Sequence, residues 1–307
     1  MQKRILSLIP SATEIVCALG KRNDLVGISH ECDFPASVTQ LPRLTRPRLE
    51  PHARGSAIDR QVREIVAKGL SIYNIELKKL EKLKPDLILT QDQCHVCAVS
   101  LDQVEEAVRS LLLTETKVCS LKPHCLDDIY TDIQRVGDAI GASDKAVELV
   151  AKLRETLGRL ADVPYQTRPK VVCLEWLEPS MAAGGWIPEL VRISGGEPLI
   201  VTGAEMFKRV AWSAILKLKP DVVCLFPCGY PLAQTLEEIK APELSVPIDE
   251  LIKAGIHVVA CDGNAYFNRP GPRIVDSAEL LAGVLHPGET PYETKYAEVF
   301  NVLRSGK

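Results

Sequence analysis

Long apolar runs are missing from this chain of 307 residues, and none approaches the roughly 20 residues that span a bilayer. A strong charge of either sign is missing too. The formal charge is −3 at pH 7, which predicts no broad affinity for nucleic acid or anionic membrane. There is no G-x-x-x-x-G-K-[ST] and no strand-linked G-x-G-x-x-G, so nucleotide binding has no support. No nucleophile–base–acid arrangement is legible either; His124 and His257 have no recognisable partners and read as structural or exposed. Aromatics are scarce, with five Phe, three Trp and seven Tyr, so where they fall is informative.

A secretory leader is not expected in the opening residues, despite a superficial likeness. The opening MQKRILSLIPSATEIVCALG places Lys3 and Arg4 before an apolar stretch, but Pro10, Ser11, Thr13 and Glu14 interrupt it. Glu14 is costly inside a translocating segment, so the stretch reads as a first strand and helix. The expected setting is the cytoplasm, or the periplasm if a leader was removed. Ten cysteines are too sparse for a disulfide scaffold and in that setting read mostly as reduced thiols. Cys17, Cys119, Cys173 and Cys261 lie in or beside apolar runs and read as small buried hydrophobes.

What is present is the balance of a soluble globular protein, 46% apolar and 25% charged, with length enough for two domains. Strand-like runs alternate with helix-like segments, which argues for α/β architecture with mainly parallel sheets. RILSLI is a strand, and SATEIVCALG a helix with Ser11 and Glu14 at capping-box spacing and Gly20 at its end. LVGISH and DLILT are further strands. AIDRQVREIVAKG aligns Ile58, Val62, Ile65 and Val66 on one helical face; SLDQVEEAVRSLLL does the same with Leu101, Val104, Val108 and Leu111, with Ser100 and Gln103 as a second capping box.

An internal repeat organises these elements. LEKLKPDLIL (80–89) matches ILKLKPDVVCL (215–225), with Asp86 and Asp221 lying 135 residues apart. Each copy is a helix end, a Lys-Pro-Asp turn and a buried strand. RILSLIP has a looser counterpart in KVVCLEW (170–176), and each is followed by a helix ending in glycine, at Gly20 and at Gly195 and Gly196. A period this long is a domain duplication rather than a solenoid repeat. Residues 126–163 are nearly free of strand signals, and their second half is a helix of about 20 residues, roughly 30 Å long. The expected organisation is an N-terminal α/β lobe over 1–125, a linking helical segment over 126–163 and a C-terminal α/β lobe over 164–307.

RILSLIPSATEIVCALG, the paired LKPDLIL and LKPDVVCL, WIPELVRISGGEPL and FNRPGPRIVDSAELLAGVLHP together resemble the cobalamin- and siderophore-binding proteins of ABC importers. The similarity covers nearly the whole chain. It implies two doubly wound, Rossmann-like lobes joined by one long rigid α-helix, with a ligand, such as cobalamin or another corrinoid, in a cleft between the lobes at strand C-terminal ends. Members that dock on a permease commonly present a glutamate on each lobe, eight residues before the Asp of the Pro-Asp turn. Here those positions hold Lys78 and Ser213, so the resemblance implies a relative that kept the ligand site and lost permease docking.

Several polar stretches belong at such strand ends: IPSATE, SHECD, TRPR and TQDQCHVC from the N-lobe; EWLEP, GGWIPE, FPCGY and NAYFNRPGPR from the C-lobe. Asp92 and Gln93 lead into Cys94 and Cys97, which have zinc-ligand spacing; with His30 and Cys32 they make a Cys3His set. His95 is a substitute for His30, and Cys228 a further ligand. Zinc, an iron–sulfur cluster and thiols that merely line a pocket all stay open. A redox dithiol fits less well, because Cys97 precedes its helix by about three residues instead of sitting at the N-terminus. RLTRPRLEPHARG gathers Arg43, Arg46, Arg48 and Arg54 in a proline-punctuated loop, either solvated or an anion clamp complemented by Ser11 at a helix N-terminus. Trp186, Tyr230, Tyr266 and Phe267 fall in C-lobe loops or helix starts, as core packing or as a platform for a flat ligand that Asn268 and Arg273 orient.

Three functions follow. The first is a non-catalytic, cytoplasmic binding protein for a corrinoid or another metal chelate. The second is a metal-handling protein or enzyme centred on the N-lobe cysteines, and the third an importer subunit that partners an ABC permease.

Overall fold

The structure is a computed structural model that describes residues 3–48, 55–67, 72–92, 101–111, 115–203 and 205–304. These divide into two compact units, with the break inside one helix between Lys152 and Leu153. Unit 1 holds β1 (Ile5–Ser7), α1 (Pro10–Ala18), β2 (Leu25–Ile28), β3 (Thr45–Pro47), α2 (Gly55–Ala67), β4 (Tyr73–Ile75), α3 (Leu77–Leu83), β5 (Leu87–Gln91), α4 (Leu101–Ser110), β6 (Lys117–Leu121), α5 (Leu126–Ile140) and the first half of α6 (Ser143–Ala161). Unit 2 takes the rest of α6, then β7 (Lys170–Leu177), β8 (Ser180–Ala183), α7 (Ile187–Ile193), β9 (Glu197–Pro198), β10 (Phe207–Arg209), α8 (Trp212–Leu218), β11 (Val222–Leu225), α9 (Leu232–Glu238), α10 (Pro242–Lys253), β12 (His257–Cys261), α11 (Ile274–Leu285), α12 (Tyr292–Lys295) and β13 (Phe300–Val302).

The duplication read from the Lys-Pro-Asp turns is a structural fact. In unit 1 the sheet order is β2-β1-β5-β6, all parallel; in unit 2 the parallel strands β9, β7, β11 and β12 follow the same order. Lys84 and Lys219 end α3 and α8 in the left-handed region, at φ 41° and 48°. Each following aspartate then grips the start of the first strand. Asp86 Oδ2 accepts the Arg4 N–H at 2.8 Å, and Asp221 Oδ2 accepts the Lys170 N–H at 2.7 Å. Their own amides donate to the carbonyls of those same two residues, both at 2.8 Å. The turn therefore fixes the register that follows, Ile5 opposite Leu87 and Val171 opposite Val222.

The helix after each first strand also stops in the same way. Gly20 at φ 74° and Gly195 at φ 81° occupy conformations that a side chain disfavours. Their amides, and those of Lys21 and Gly196, return to carbonyls of the last helical turn, at Cys17 and Val16 and at Arg192 and Val191. The other end of α1 differs from expectation. The helix begins at Pro10, whose missing N–H costs nothing there, so Ser11 is already inside and makes no cap with Glu14. Ser100, of the second expected box, lies outside the described residues.

The apolar periodicities define the cores. Leu6, Ile88, Leu80 and Val104 form one cluster in unit 1, with Val62, Ile65, Val108 and Leu111 packed against it. Val172, Leu174, Val223, Leu225 and Val258 form its counterpart in unit 2, covered by Ile215 of α8 and Leu244, Ile248 and Leu251 of α10. Residues 126–163 contain α5 and then α6, the helix of about 20 residues expected in their second half. They part at Gly141, at φ 69°, and the 19-residue α6 carries the chain from unit 1 into unit 2. No helix among the described residues is long and apolar enough to cross a membrane.

Removing either carboxylate, as Asp86→Ala or Asp221→Ala, is expected to destabilise its own unit by about 1.5–3 kcal/mol, the usual worth of a hydrogen bond to a charged group. Urea unfolding checks this, and the asparagine variants should recover part of the loss.

Candidate functional site

In each unit the strand ends carry the polar chemistry, as α/β sheets generally arrange. At the carboxyl ends of β1 and β2 in unit 1, Ser7, Thr13, Ser29 and Cys32 are all buried. The Thr13 hydroxyl donates to Ser7 Oγ at 2.8 Å, and Ser7 donates to the Ile9 carbonyl at 3.0 Å. Cys32 Sγ lies 3.0 Å from Thr13 Oγ1 and 3.4 Å from Ser29 Oγ. This relay satisfies hydroxyls that would otherwise be costly in the interior. Ser11 is buried beside it and Asp92, half-buried, follows β5, with Lys122 Nζ 3.2 Å from its Oδ2.

His30 stands next to this relay. Its backbone N–H reaches Thr45 Oγ1 at 3.0 Å, and its Nδ1 is 2.7 Å from the same oxygen. The Thr45 hydroxyl thus holds both the backbone and the ring of His30. Burial, then the Arg43 charge, lowers the His30 pKa to about 4. Burial raises the Cys32 thiol despite its hydrogen bonds. Of the expected metal set, then, His30 Nδ1 is occupied and Cys32 is a buried thiol held by hydroxyls. Cys94, Cys97 and the substitute His95 lie outside the described residues, as does Gln93. Among the described residues no three His, Cys, Asp or Glu side chains group as metal ligands do.

The arginine loop is less free than its sequence suggests. Arg46 Nε pairs with Glu76 Oε1 at 2.9 Å, Arg48 Nε donates to Asn74 Oδ1 at 2.6 Å, and Arg43 donates to the His30 carbonyl. No excess of acid surrounds these arginines in the sequence, yet Glu76 pairs with Arg46. Glu76 is distant in sequence, but the antiparallel β3–β4 pair, with Arg46 opposite Asn74, brings it alongside. Arg46 and Arg48 remain exposed, where such pairs are weak. Arg54 lies outside the described residues.

In unit 2 the loop after β12 is built to be rigid. Asp262 Oδ1 accepts the Ala265 N–H at 2.7 Å and caps a π-helical turn over Gly263–Phe267. Such turns are rare and recur at functional sites. Asn268 closes the turn by donating to the Gly263 carbonyl at 2.8 Å. Trp186 Nε1 donates to the Phe267 carbonyl at 3.2 Å. Phe267, 1% exposed, stacks on Phe226 with centroids 4.2 Å apart. Phe267 thus packs into the core and Trp186, buried, buttresses its backbone. Tyr230 is buried with its ring edge-to-face on Trp176 at 5.5 Å. Tyr266 alone of the four stays half-exposed, with the Arg273 guanidinium 5.8 Å from its ring centre.

Sequence reasoning missed Arg269. It is 4% exposed and donates to Asn264 Oδ1 at 3.0 Å. A buried guanidinium at a strand's carboxyl end is unusual, because arginine is ordinarily exposed, and that habit hid it. Lys78 and Ser213 stand exposed at the second residues of α3 and α8, equivalent places in the two units.

Two outcomes follow from this geometry. His30 titrates near 6.5 in an unfolded chain and near 4 when folded, so the folded state binds fewer protons between those values. Stability is full above about 6.5 and is lost as pH falls through 4. His30→Gln should flatten that part of the melting-temperature profile between pH 7 and 4. In the loop, a Cβ on Gly263 would fall 2.3 Å from the Pro227 carbonyl oxygen and 2.6 Å from that of Phe226. Gly263→Ala should therefore cost roughly 1–3 kcal/mol, read as a lowered melting temperature.

Comparison with known proteins agrees with this architecture. Residues 5–244 match the family described as periplasmic binding protein. The vitamin B12-binding protein of Yersinia pestis is 22% identical over 292 residues, 94% of this chain and 88% of its own. A periplasmic heme-binding protein from Pseudomonas aeruginosa superposes with a TM-score of 0.70 at 19% identity, over the whole of both chains. The periplasmic vitamin B12-binding protein of Vibrio cholerae gives 0.60 at 21% identity, over 92% of this chain and 96% of its own. The duplicated parallel sheets, the repeated turns and the family match together place this chain in the periplasmic binding protein family.

Proposed function

We propose that this protein binds a corrinoid or a similar planar metal chelate at the carboxyl ends of its strands, as a binding protein rather than as a catalyst. The observation that carries this reading is the end-to-end match, over 94% of the chain, to a protein named for binding vitamin B12, within a family that covers residues 5–244. The chemistry of the strand ends supports it. A corrin or porphyrin offers a flat apolar face, and a rim of amides, carboxylates or phosphate. Tyr266 and Arg273 suit the face and an anionic rim group. Asp92 suits an amide N–H, and Arg46 and Arg48 an anionic tail. Ser11 in unit 1 and Tyr230 in unit 2 would lie at these strand ends, with Trp186 and Phe267 holding the loop of unit 2. Lys78 and Ser213, in place of acidic side chains, favour binding without permease docking.

Calorimetric titration with cyanocobalamin and separately with hemin tests the reading. One of the two should saturate a single site per chain. Arg273→Ala and Tyr266→Ala should each weaken that ligand at least tenfold, about 1.4 kcal/mol, with the ligand-free melting temperature unchanged. No heat and no absorption change with both ligands would remove the assignment.

A further inference from the structure

Three neighbouring strands of unit 2 each carry a buried cysteine: Cys173 on β7, Cys224 on β11 and Cys261 on β12. Cys173 and Cys224 are register partners on parallel strands, so their side chains leave the same face of the sheet. Val172, Leu174, Val223 and Leu225 point to the other face, into the core cluster. On the cysteine face Cys173 borders a cavity of about 10 Å³ with Ile187 and Val191 of α7. Cys173 and Cys224 are both buried, so their thiols face each other away from solvent.

Geometry separates this pair from the third thiol. Register partners on neighbouring strands stand about 4.8 Å apart, inside the roughly 4.4–6.8 Å Cα spacing of disulfides. Cys224 is opposite Val259, so Cys261 is two residues further along β12. Two residues advance a strand by about 6.6 Å. The diagonal from Cys224 to Cys261 is then about 8 Å, beyond the reach of a disulfide.

We propose that Cys173 and Cys224 form a redox site that closes to a disulfide across the β7–β11 ladder, by exchange with a small disulfide such as oxidised glutathione, while Cys261 stays a thiol. One cysteine thiolate attacks a sulfur of the oxidant and releases one reduced glutathione. The second cysteine then displaces the other, so one S–S bond forms, one breaks, and two protons pass to the released thiols. The bond is strained, because side chains standing upright on strands about 4.8 Å apart hold their Cβ atoms beyond the relaxed spacing of about 3.8 Å. It is correspondingly easy to reduce. The neighbouring Cys224 thiol, then burial, keep the Cys173 thiol protonated well above the usual range. Exchange is therefore slow in the closed fold and runs through local opening.

The test treats the native chain with excess oxidised glutathione in sub-denaturing urea, alkylates the remaining thiols, and maps a non-reducing digest by mass spectrometry. The expected product is a Cys173–Cys224 linked peptide pair lacking two hydrogens, with Cys261 alkylated, and the link reversed by dithiothreitol. Formation should quicken with urea below the unfolding transition. Recovery of Cys173 and Cys224 as alkylated or glutathione-bound residues, or a link to Cys261, would overturn the proposal. Cys261→Ala should keep the linked pair and Cys224→Ala should lose it. The linked pair is sought first in the wild-type chain, so the proposal stands or falls there even where a Cys224→Ala variant fails to fold.

Discussion

Everything in each unit hangs on an aspartate that ties a helix end to the start of the first strand. Asp86 holds Arg4 and Asp221 holds Lys170, each by a carboxylate-to-amide bond and a backbone bond. A parallel sheet has no hairpin to set its register, because its strands are joined by long crossovers. A one-residue slip would turn every core side chain to the wrong face. The Lys-Pro-Asp turn supplies the missing constraint at one end. The strands' other ends then fall where Ser7, Asp92, Phe226 and Asp262 begin the functional loops.

That constraint explains why the duplication survived in sequence where it did. The turn needs a left-handed residue, a proline and a carboxylate in that order, and both copies keep all three. The strands around it need only be apolar, so RILSLIP and KVVCLEW share little else. The same logic made much of the fold legible: periodic apolar positions gave the helices, glycines gave their ends, and the repeat gave two units. Pro10 shows where local reasoning slipped. A serine three residues before a glutamate looked like a cap, but proline's fitness for the first helical position set the boundary two residues earlier.

The site was less legible, for reasons of distance and burial. Glu76 neutralises Arg46 from thirty residues away, and no local pattern announces it. Phe267 and Trp186 looked like a platform from their loop positions, yet an apolar ring beside a glycine turn packs inward when another ring, here Phe226, waits beneath it. Arg269 was invisible because a buried guanidinium breaks the usual preference of its residue type. What sequence did locate was the set of strand ends, which the repeat fixes.

The central claim is that the chain is a carrier of a metal chelate. Its most direct test is gentle purification of the protein from its own source, followed by an absorption spectrum and mass spectrometry of the small molecule that accompanies it. The account predicts the visible bands of a corrinoid or porphyrin and a mass to match, lost from the Arg273→Ala protein. A colourless preparation whose only companion is a non-chelating metabolite would contradict it.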